Sequence, residues 1–196
     1  MHCKTSFSIY SPEIALLLKT MTPISTLLAL GVLSSVLLSG CNAYNWQNEW
    51  DGHHKHTCGA GDYLRRLKST HDNGKEDRRW EFICGRTANL PAGNDCEWSG
   101  YLNNWDERVL VNCRNGGVIA GMESDHNDRA EDRRFKFRCC NFNYKPINCY
   151  WSNYTNQWDE NMDYTVPVGK LVTGAFSFHR NDKEDRRWQF MECDIS

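Results

Sequence analysis

One seven-residue stretch occurs three times in this chain, and it constrains the possible fold more than any other feature. The copies are residues 76–82 (EDRRWEF), 131–137 (EDRRFKF) and 184–190 (EDRRWQF). A Trp-Asp pair precedes each copy, and its Trp always lies 27 residues before the Asp of the EDRR motif. A spacing kept through three copies without a gap indicates one supersecondary unit that is used three times.

Each unit also carries a Gly, a Ser and a His at fixed positions. The His lies six residues before the Asp of EDRR, the Ser two residues before the His, and the Gly eight residues before the Ser. These residues are Gly61, Ser69 and His71, then Gly116, Ser124 and His126, then Gly169, Ser177 and His179. The Gly precedes apolar residues, which predicts a turn followed by a strand. The polar residues after the His are typical of a loop, and EDRR begins the next strand.

The first 43 residues differ from the rest of the chain. An uncharged apolar run from Ile24 to Leu38 follows Lys4 and Lys19 and ends in small residues. This is the layout of a secretory signal, and the run is too short for a comfortable membrane span. We therefore expect residues 1–43 to be a signal segment. The remainder predicts a single domain of three repeats, at about residues 44–95, 96–148 and 149–196.

The end of the signal segment permits two kinds of processing. Residues 38–41 (LSGC) resemble the lipobox of bacterial lipoproteins, in which the Cys, here Cys41, becomes the lipidated N-terminus. Simple cleavage after Ala43 is the alternative. Lipidation at Cys41 would be the chain's one link to a membrane.

Charge and composition exclude some partners. The formal net charge is −2, so no basic excess favours nucleic acid or sulfated polymers through overall charge, and we expect no nucleic-acid partner. Aromatic residues make up 12% of the chain, and long aliphatic runs are absent after residue 43. This composition favours short β-strands over a helical bundle.

Cysteines provide the second strong signal. Eight lie after residue 43, which in an exported domain predicts a disulfide framework. The repeat reduces the 105 possible pairings, because cysteines at equivalent positions must have equivalent partners. The predicted pairs are Cys58–Cys84, Cys113–Cys139, Cys96–Cys140 and Cys149–Cys193. An exchange of partners between Cys139 and Cys140 stays open. A bridge that closes a loop of ~26 residues contributes roughly 3.5 kcal/mol in the chain-entropy model.

The third repeat lacks one of these pairs. Val166 and Glu192 stand where the first two repeats have the partners of the first pairing. The loss of both cysteines together supports that pairing.

Metal binding is not favoured by the sequence. His53, His54 and His56 lie close together and could take a metal ion, but the other repeats have no such cluster, so a polar loop or edge strand is preferred. The loops between His and EDRR hold carboxylates and amides, yet their positions do not align as calcium ligands would. We expect neither a metal nor another cofactor.

The triplicated Ser-x-His-x4-EDRR motif admits a structural and a binding interpretation. Catalysis needs one asymmetric site, so three equal copies argue against an enzyme. In the structural interpretation, Asp and Arg form charge-assisted pairs at the strand entrance. In the binding interpretation, three equal sites give avidity for a repetitive ligand. The candidate ligand-binding residues are His71, Glu76, Asp77, Arg78, His126, Glu131, Asp132, Arg133, His179, Glu184, Asp185 and Arg186.

At these residues the chain resembles the dermatopontin family. The resemblance rests on the repeated Asp-Arg-x-(Trp/Phe)-x-Phe, the adjacent Cys139 and Cys140, and the Trp-Asp pairs, and it covers about residues 44–196. It implies an extracellular, non-enzymatic protein. Vertebrate members associate with proteoglycan and collagen fibrils and support cell adhesion. Invertebrate members resemble lectins or cell-aggregation factors, or occur in biomineral matrix.

The chain departs from the vertebrate pattern in two ways. It lacks one additional cysteine pair and the long Tyr-rich acidic N-terminal segment, so any role of that segment is in doubt. Asn153 opens a glycosylation sequon that has meaning in a eukaryotic secretory pathway. We expect a secreted matrix or adhesion protein that binds proteoglycan, glycan or collagen-like fibres. The alternative is a lectin-like or cell-aggregation protein, anchored by lipid if the source is bacterial.

The expected fold is all-β, with three repeats that close around a pseudo-threefold axis. Closure removes the exposed edges that an open sheet would have, and a β-prism is the preferred architecture. A β-trefoil is the alternative. The predicted aromatic core consists of Trp80, Phe82, Phe135, Phe137, Trp188 and Phe190.

Overall fold

The computed structural model describes residues 45–86, 95–142 and 145–195. The predicted signal segment, Cys41 and part of the stretches between repeats therefore lie outside the described residues. Within those ranges the chain is all-β, as predicted, and no helix there has the length and apolar character needed to cross a bilayer. The strands are β1 (His54–Thr57), β2 (Tyr63–Asp72), β3 (Asp77–Gly85), β4 (Asp95–Trp98), β5 (Val109–Asn112), β6 (Val118–Asn127), β7 (Asp132–Asn141), β8 (Ile147–Trp151), β9 (Met162–Thr165), β10 (Lys170–Arg180) and β11 (Asp185–Asp194).

Each repeat forms one long antiparallel hairpin: β2–β3, β6–β7 and β10–β11. The motif His and the first Arg of EDRR are directly opposite in all three, as His71 and Arg78 are in the first. The loop between them ends at the Glu of EDRR, which has a positive φ of 42–50° in each copy. In the first loop, the Asp72 carboxylate accepts hydrogen bonds from the backbone N–H groups of Gly74 and Lys75, as aspartate commonly does at a turn.

A short strand of each repeat pairs with the hairpin of a different repeat. Strand β1 pairs with β6, β5 pairs with β10, and β9 pairs with β2. The first repeat thus extends the sheet of the second, the second that of the third, and the third that of the first. The outer strands β4 and β8 complete two of the sheets by pairing with β7 and β11.

The predicted aromatic core is confirmed. All six residues belong to one buried cluster, and none exposes more than 7% of its surface. The rings of Trp80, Phe135 and Trp188, one from each repeat, meet edge to face with centroids 4.9–6.2 Å apart. Burial of one such side chain contributes about 1.5–3 kcal/mol, and the edge-to-face geometry is the arrangement that aromatic quadrupoles favour. The three repeats therefore share a single core.

Four disulfides form among the described residues. They link Cys58 with Cys84, Cys113 with Cys139, Cys96 with Cys140, and Cys149 with Cys193, which are the pairs that the repeat spacing predicts. In the third repeat, buried Val166 takes the place of a cysteine. The carboxylate of Glu192 there accepts a hydrogen bond of 2.9 Å from the Tyr164 hydroxyl. A polar contact between β9 and β11 thus occupies the region of the missing bridge.

Candidate functional site

Three buried ion pairs connect the EDRR motifs of different repeats. Each first Arg of EDRR donates from Nε and Nη2 to the two carboxylate oxygens of an Asp in another motif. The Nε–Oδ1 and Nη2–Oδ2 distances are 2.6 and 2.8 Å for Arg78 with Asp185, 2.5 and 2.8 Å for Arg133 with Asp77, and 2.6 and 2.6 Å for Arg186 with Asp132. These six residues, here called the ion-pair ring, are each at most 4% exposed.

The remaining hydrogen-bonding groups of the ring are largely satisfied. Each Asp accepts a further bond from the backbone N–H of a Trp-Asp aspartate, at 2.8–2.9 Å. Each Arg also donates to a backbone carbonyl, at 2.9–3.0 Å. Arg78 and Arg133 bond in addition to the motif serines Ser69 and Ser124. Buried charges are tolerated when they are paired and hydrogen-bonded in this way. The geometry of the ring thus connects the three repeats through their side chains.

An Asn two residues before each Trp-Asp pair supports the ion-pair ring. This Asn recurs in all three repeats, but it was not identified from the sequence. The side-chain amide of Asn103 donates to the Arg133 carbonyl at 2.9 Å and accepts from the Phe135 N–H at 2.9 Å. Asn48 and Asn156 make the same two bonds in their repeats. Each amide thus pairs with the strand edge as another strand would. Its constant spacing was the available signal.

The motif histidines lie beside aspartates of other repeats, with side chains only 1–3% exposed. His71 Nδ1 is 3.4 Å from Asp185 Oδ1, and His179 Nδ1 is 3.4 Å from Asp106 Oδ1. Burial is the main cause that lowers the pKa of both imidazoles. His71 and His179 are therefore neutral at pH 7.

The three motif glutamates meet at a central cavity. Glu76, Glu131 and Glu184 line it together with the ion-pair ring, His71 and His179. Its interior offers about 20 Å³ for the centre of a water molecule. Burial and the neighbouring carboxylates raise the pKa of Glu184 to about 7. A hydrogen bond with Glu76 raises the pKa of Glu131.

The structure thus brings eleven of the twelve candidate ligand-binding residues to one cavity; His126 is not among its lining residues. His126 Nδ1 instead lies 3.3 Å from Asp128 and 3.6 Å from Asp51. Of the eleven, the six of the ion-pair ring are buried and engaged with one another. The glutamates are the partly exposed members.

A second feature recurs on the outside of each sheet. The second Arg of EDRR lies against two aromatic rings, which belong to the Trp of the Trp-Asp pair and to the residue four positions before it. We call this unit the aromatic–arginine stack. The distances from the guanidinium carbon to the ring centroids are 5.2 and 4.4 Å for Arg79 with Trp46 and Trp50, 4.2 and 4.5 Å for Arg134 with Tyr101 and Trp105, and 4.1 and 5.7 Å for Arg187 with Tyr154 and Trp158.

The first stack borders a groove of about 370 Å³. Trp46 and Arg79 form one part of its lining, and polar side chains from β2 and from the region of β9 form the rest, among them Thr70, Asn161 and Asp163. Aromatic faces beside a few polar groups are typical of a ligand-binding surface. Sequence reasoning did not identify these stacks, because the aromatic residue four positions before the Trp-Asp pair is Trp in one repeat and Tyr in two.

Two other predicted positions are placed by the structure. The side chains of the histidine cluster point in different directions, because His54 is buried against Phe82 with ring centroids 5.5 Å apart, whereas His53 is exposed. Burial lowers the pKa of His54 well below its usual value. Asn153, in the sequon, lies in an exposed loop after β8.

Fold and site together define a disulfide-bonded all-β repeat protein whose repeats are tied by buried ion pairs. The sequence model of the family described as Dermatopontin matches residues 48–196. The chain belongs to the dermatopontin family.

Several relatives extend this result. A protein of Limulus polyphemus named hemagglutinin/amebocyte aggregation factor is 42% identical over 151 residues, which are 76% of this chain and 86% of the relative. A dermatopontin of Biomphalaria glabrata is 39% identical over 137 residues, 69% of this chain and 90% of that protein. Millepora cytotoxin-1 of Millepora dichotoma is 34% identical over 147 residues, 74% of this chain and 65% of that protein. No solved structure gave a significant match.

Family membership supports an extracellular matrix, adhesion or lectin-like role for the chain. The four disulfides fit an exported protein. The names of these relatives describe agglutinin, matrix or toxin proteins and not enzymes. The bacterial lipid-anchor alternative has no support among them.

Proposed function

We propose that this protein is a secreted, non-enzymatic adhesion protein that binds glycan chains through its three aromatic–arginine stacks. One observation carries the proposal: in every repeat, an Arg lies against two aromatic rings on the outer side of a sheet. The ion-pair ring explains the first Arg of EDRR but does not include the second, whose backbone contact is a bond of 3.1 Å from Arg187 to the Asn156 carbonyl in the third repeat. A ligand-binding role would account for its presence in all three repeats.

The chemistry of the stacks suits sugars. Aromatic faces pack against the C–H groups of a pyranose ring, and a guanidinium donates to hydroxyl, carboxylate or sulfate oxygens. An Arg that is already packed against two rings loses little side-chain entropy when it binds. Three such surfaces on one chain allow one molecule to hold several glycan chains, so avidity can exceed the affinity of a single site. The agglutinin named among the relatives is in keeping with that behaviour.

In the same proposal, the Asp and first Arg of each EDRR motif join the repeats and do not touch the ligand. The strand exchange and the ion pairs pass from each repeat to the next in one direction, which supports a closed, pseudo-threefold arrangement of the β-prism type. A closed arrangement would hold the three stacks at fixed angles to one another.

The secretion of the protein and the identity of its partners are also part of the proposal. Residues 1–43 would direct secretion, and the mature protein would act outside the cell on glycans or proteoglycan. Asn153 would carry a glycan in a eukaryotic source, since its loop is exposed. Collagen-like fibres are the second candidate partner. The outer face of the third sheet favours them, because Phe176 and Phe178 stand where the first sheet has Lys68 and Thr70.

A binding screen with surface variants tests the proposal. Full-length protein, expressed and collected after secretion, is measured on immobilised neutral oligosaccharides, sulfated glycosaminoglycans and collagen fibrils at low and high salt. The variants are Arg134→Ser alone and the triple variant R79S/R134S/R187S. We expect the single change to weaken glycan avidity by about 10-fold and the triple change by about 100-fold or more, because each removes one or all of the linked sites.

The matched control is Arg108→Ser, which removes an exposed Arg that lies outside the stacks. It should leave binding unchanged, and thermal unfolding should show that all variants remain folded. Glycan binding that survives in a folded triple variant would refute the proposal. Binding confined to collagen fibrils, and insensitive to the triple change, would support the second candidate.

A further inference from the structure

The outer faces of the three sheets differ in charge, although equivalent strands build them. In the sheets of the first two hairpins, three side chains directly across from one another alternate in charge. These rows are Asp163, Lys68 and Glu81 in the first sheet, and Lys55, Glu123 and Lys136 in the second. The row at the same position of the third sheet is Leu110, Phe176 and Gln189. The third row therefore carries no charge.

Aromatic side chains extend this uncharged row over the third sheet. Trp151 on β8 packs edge to face against Phe176, with ring centroids 6.3 Å apart, and Phe176 lies 6.4 Å from Phe178. Leu110 is 58% exposed and Trp151 is 38% exposed. We call these four residues the apolar face. Contiguous exposed apolar side chains on an exported protein indicate a surface that another group covers.

A glycosylation sequon adjoins the apolar face. Asn153 opens the one Asn-x-Ser/Thr sequence of the chain, and its side chain is exposed. The backbone N–H groups of Ser152 and Thr155 donate to carbonyls of β11 at 2.8 Å, which holds the segment along the edge of that strand. Asn153 is two residues after Trp151, so their Cα atoms are at most about 7 Å apart. A glycan on Asn153 would therefore begin at the rim of the apolar face.

The chemistry of an N-linked glycan suits this face. Its first sugar, N-acetylglucosamine, is uncharged and presents C–H groups and an acetyl methyl group that can pack on aromatic rings, while its hydroxyls remain in water. The charged rows of the other two sheets would have to lose hydration under such a sugar, which costs free energy. Covalent attachment also gives the sugar a high effective concentration at the face, so weak contacts suffice.

We propose that the N-linked glycan of Asn153 packs on the apolar face, with its first sugars against Trp151 and Phe176, and shields this face from water and from other proteins. The inference rests on the glycosylation of Asn153 suggested above and is independent of ligand binding by the aromatic–arginine stacks. The relatives named above come from animals, whose secretory pathway attaches such glycans. A second copy of the chain is the less suitable occupant, because a glycan at the rim would obstruct its approach.

The first test compares glycosylated and unglycosylated protein. Full-length protein is collected after secretion from cultured animal cells, and mass spectrometry of the glycopeptide verifies the glycan on Asn153. We expect Asn153→Gln to lower the midpoint of thermal unfolding by about 2–4 °C and to increase self-association, because the apolar face is uncovered. Wild-type protein trimmed by an endoglycosidase to a single N-acetylglucosamine should keep most of the difference.

A second substitution tests whether Trp151 is the partner of the glycan. In Trp151→Ser, removal of the glycan by Asn153→Gln should leave the midpoint unchanged, because the packing surface is already lost. The matched control is Trp98→Ser. Trp98 has the equivalent position in the second repeat, two residues after a disulfide cysteine, but lies against Lys55 at 4.7 Å. In this background, removal of the glycan should lower the midpoint as it does in the wild type.

Four results would overturn the proposal. The first is the absence of a glycan on Asn153 in the secreted protein. The second is an unchanged midpoint and unchanged self-association of Asn153→Gln, and the third is an equal effect of glycan removal in Trp151→Ser and in the wild type. The fourth is a dimer of the glycosylated wild type, or its binding to collagen fibrils, that Trp151→Ser abolishes, since another protein would then occupy the face.

Discussion

Asp77 accepts two hydrogen bonds from the guanidinium of Arg133, a residue 56 positions further along the chain, at 2.5 and 2.8 Å. The pair joins the first repeat to the second. Its counterparts join the second repeat to the third, through Asp132 and Arg186, and the third to the first, through Asp185 and Arg78. The same order holds for the exchanged strands β1, β5 and β9. Side-chain chemistry and backbone pairing thus specify the same neighbour for every repeat.

Removal of one ring carboxylate should be severely destabilising. In the variant Asp132→Asn, Arg186 would keep its charge in a buried site without the carboxylate that neutralises it. Loss of one partner of a buried pair costs about 3–5 kcal/mol, and we expect that decrease in the free energy of unfolding, measured by denaturant titration. Asp128→Asn is the control, because the Asp128 side chain is 86% exposed, and its effect should be small. A decrease below about 1 kcal/mol for Asp132→Asn would show that the ring does not hold the repeats together.

Loss of one of the buried asparagines Asn48, Asn103 and Asn156 should lower the free energy of unfolding nearly as much, although these residues carry no charge. In Asn103→Ala, the Arg133 carbonyl and the Phe135 N–H would lose their partner in a buried part of the fold. An unsatisfied buried polar group costs about 1–3 kcal/mol, so we expect the variant to lose about 2–5 kcal/mol of unfolding free energy. Asn104→Ala, next in the chain but exposed, provides the comparison. Equal effects of the two substitutions would contradict the role assigned to Asn103.

Sequence spacing predicted those features that depend on equivalence between repeats. The cysteine partners follow because Cys58 and Cys113 occupy the same place in the unit, and the aromatic core follows from alternation along the EDRR strand. The exchange of β1, β5 and β9 could not be predicted in this way. A short strand has the same sequence pattern whether it pairs with its own hairpin or with the next, and only closure in three dimensions decides between them.

The site was predictable in part for the same reason. The His, Glu, Asp and first Arg of each motif were identified because they repeat in identity, and the structure brings nearly all of them together. The equally constant Asn48, Asn103 and Asn156 were missed. Their separate environments were not accessible from the sequence, because burial of the ion-pair ring and partial exposure of Glu184 depend on which repeats meet. The stacks were missed because Trp46 corresponds to Tyr101, so the position is constant in aromatic character and not in residue type.

Stability should depend on the protonation of Glu184. Its pKa is raised from 4.5 to about 7 in the folded protein, so between these values the folded state binds more protons than the unfolded state. Its contribution is therefore present below about pH 4.5 and is lost as the pH rises through about 7. The substitution Glu184→Gln should therefore raise the midpoint temperature of unfolding at pH 8 and leave it nearly unchanged at pH 5.

The variant must be compared with the wild type because the two buried histidines change the stability with pH in the direction opposite to Glu184. The pKa values of His71 and His179 are lowered by burial, so their contribution to stability is lost as the pH falls below about 6.5. Both proteins contain these histidines, so the comparison removes the part of the effect that does not depend on Glu184. A difference between Glu184→Gln and wild type that does not grow from pH 5 to pH 8 would contradict the raised pKa.

The contact between exchanged strands should be sensitive to a single methyl group. A Cβ atom at Gly121 would lie 2.6 Å from the His56 carbonyl oxygen on β1 and 3.1 Å from the Arg138 Cβ. Since the backbone of β1 would have to move, we expect Gly121→Ala to lower the free energy of unfolding by about 1–3 kcal/mol. Gly100→Ala is the control, because no atom lies within 4 Å of a Cβ built there, and its effect should stay within about 0.5 kcal/mol. Hydrogen exchange of the β1 amides provides the local measurement. Faster exchange in Gly121→Ala, with unchanged rates in β10 and β11, would show that the substitution destabilises the pairing of β1 with the hairpin of the second repeat. Unchanged protection of β1 would show that this close approach does not limit the pairing.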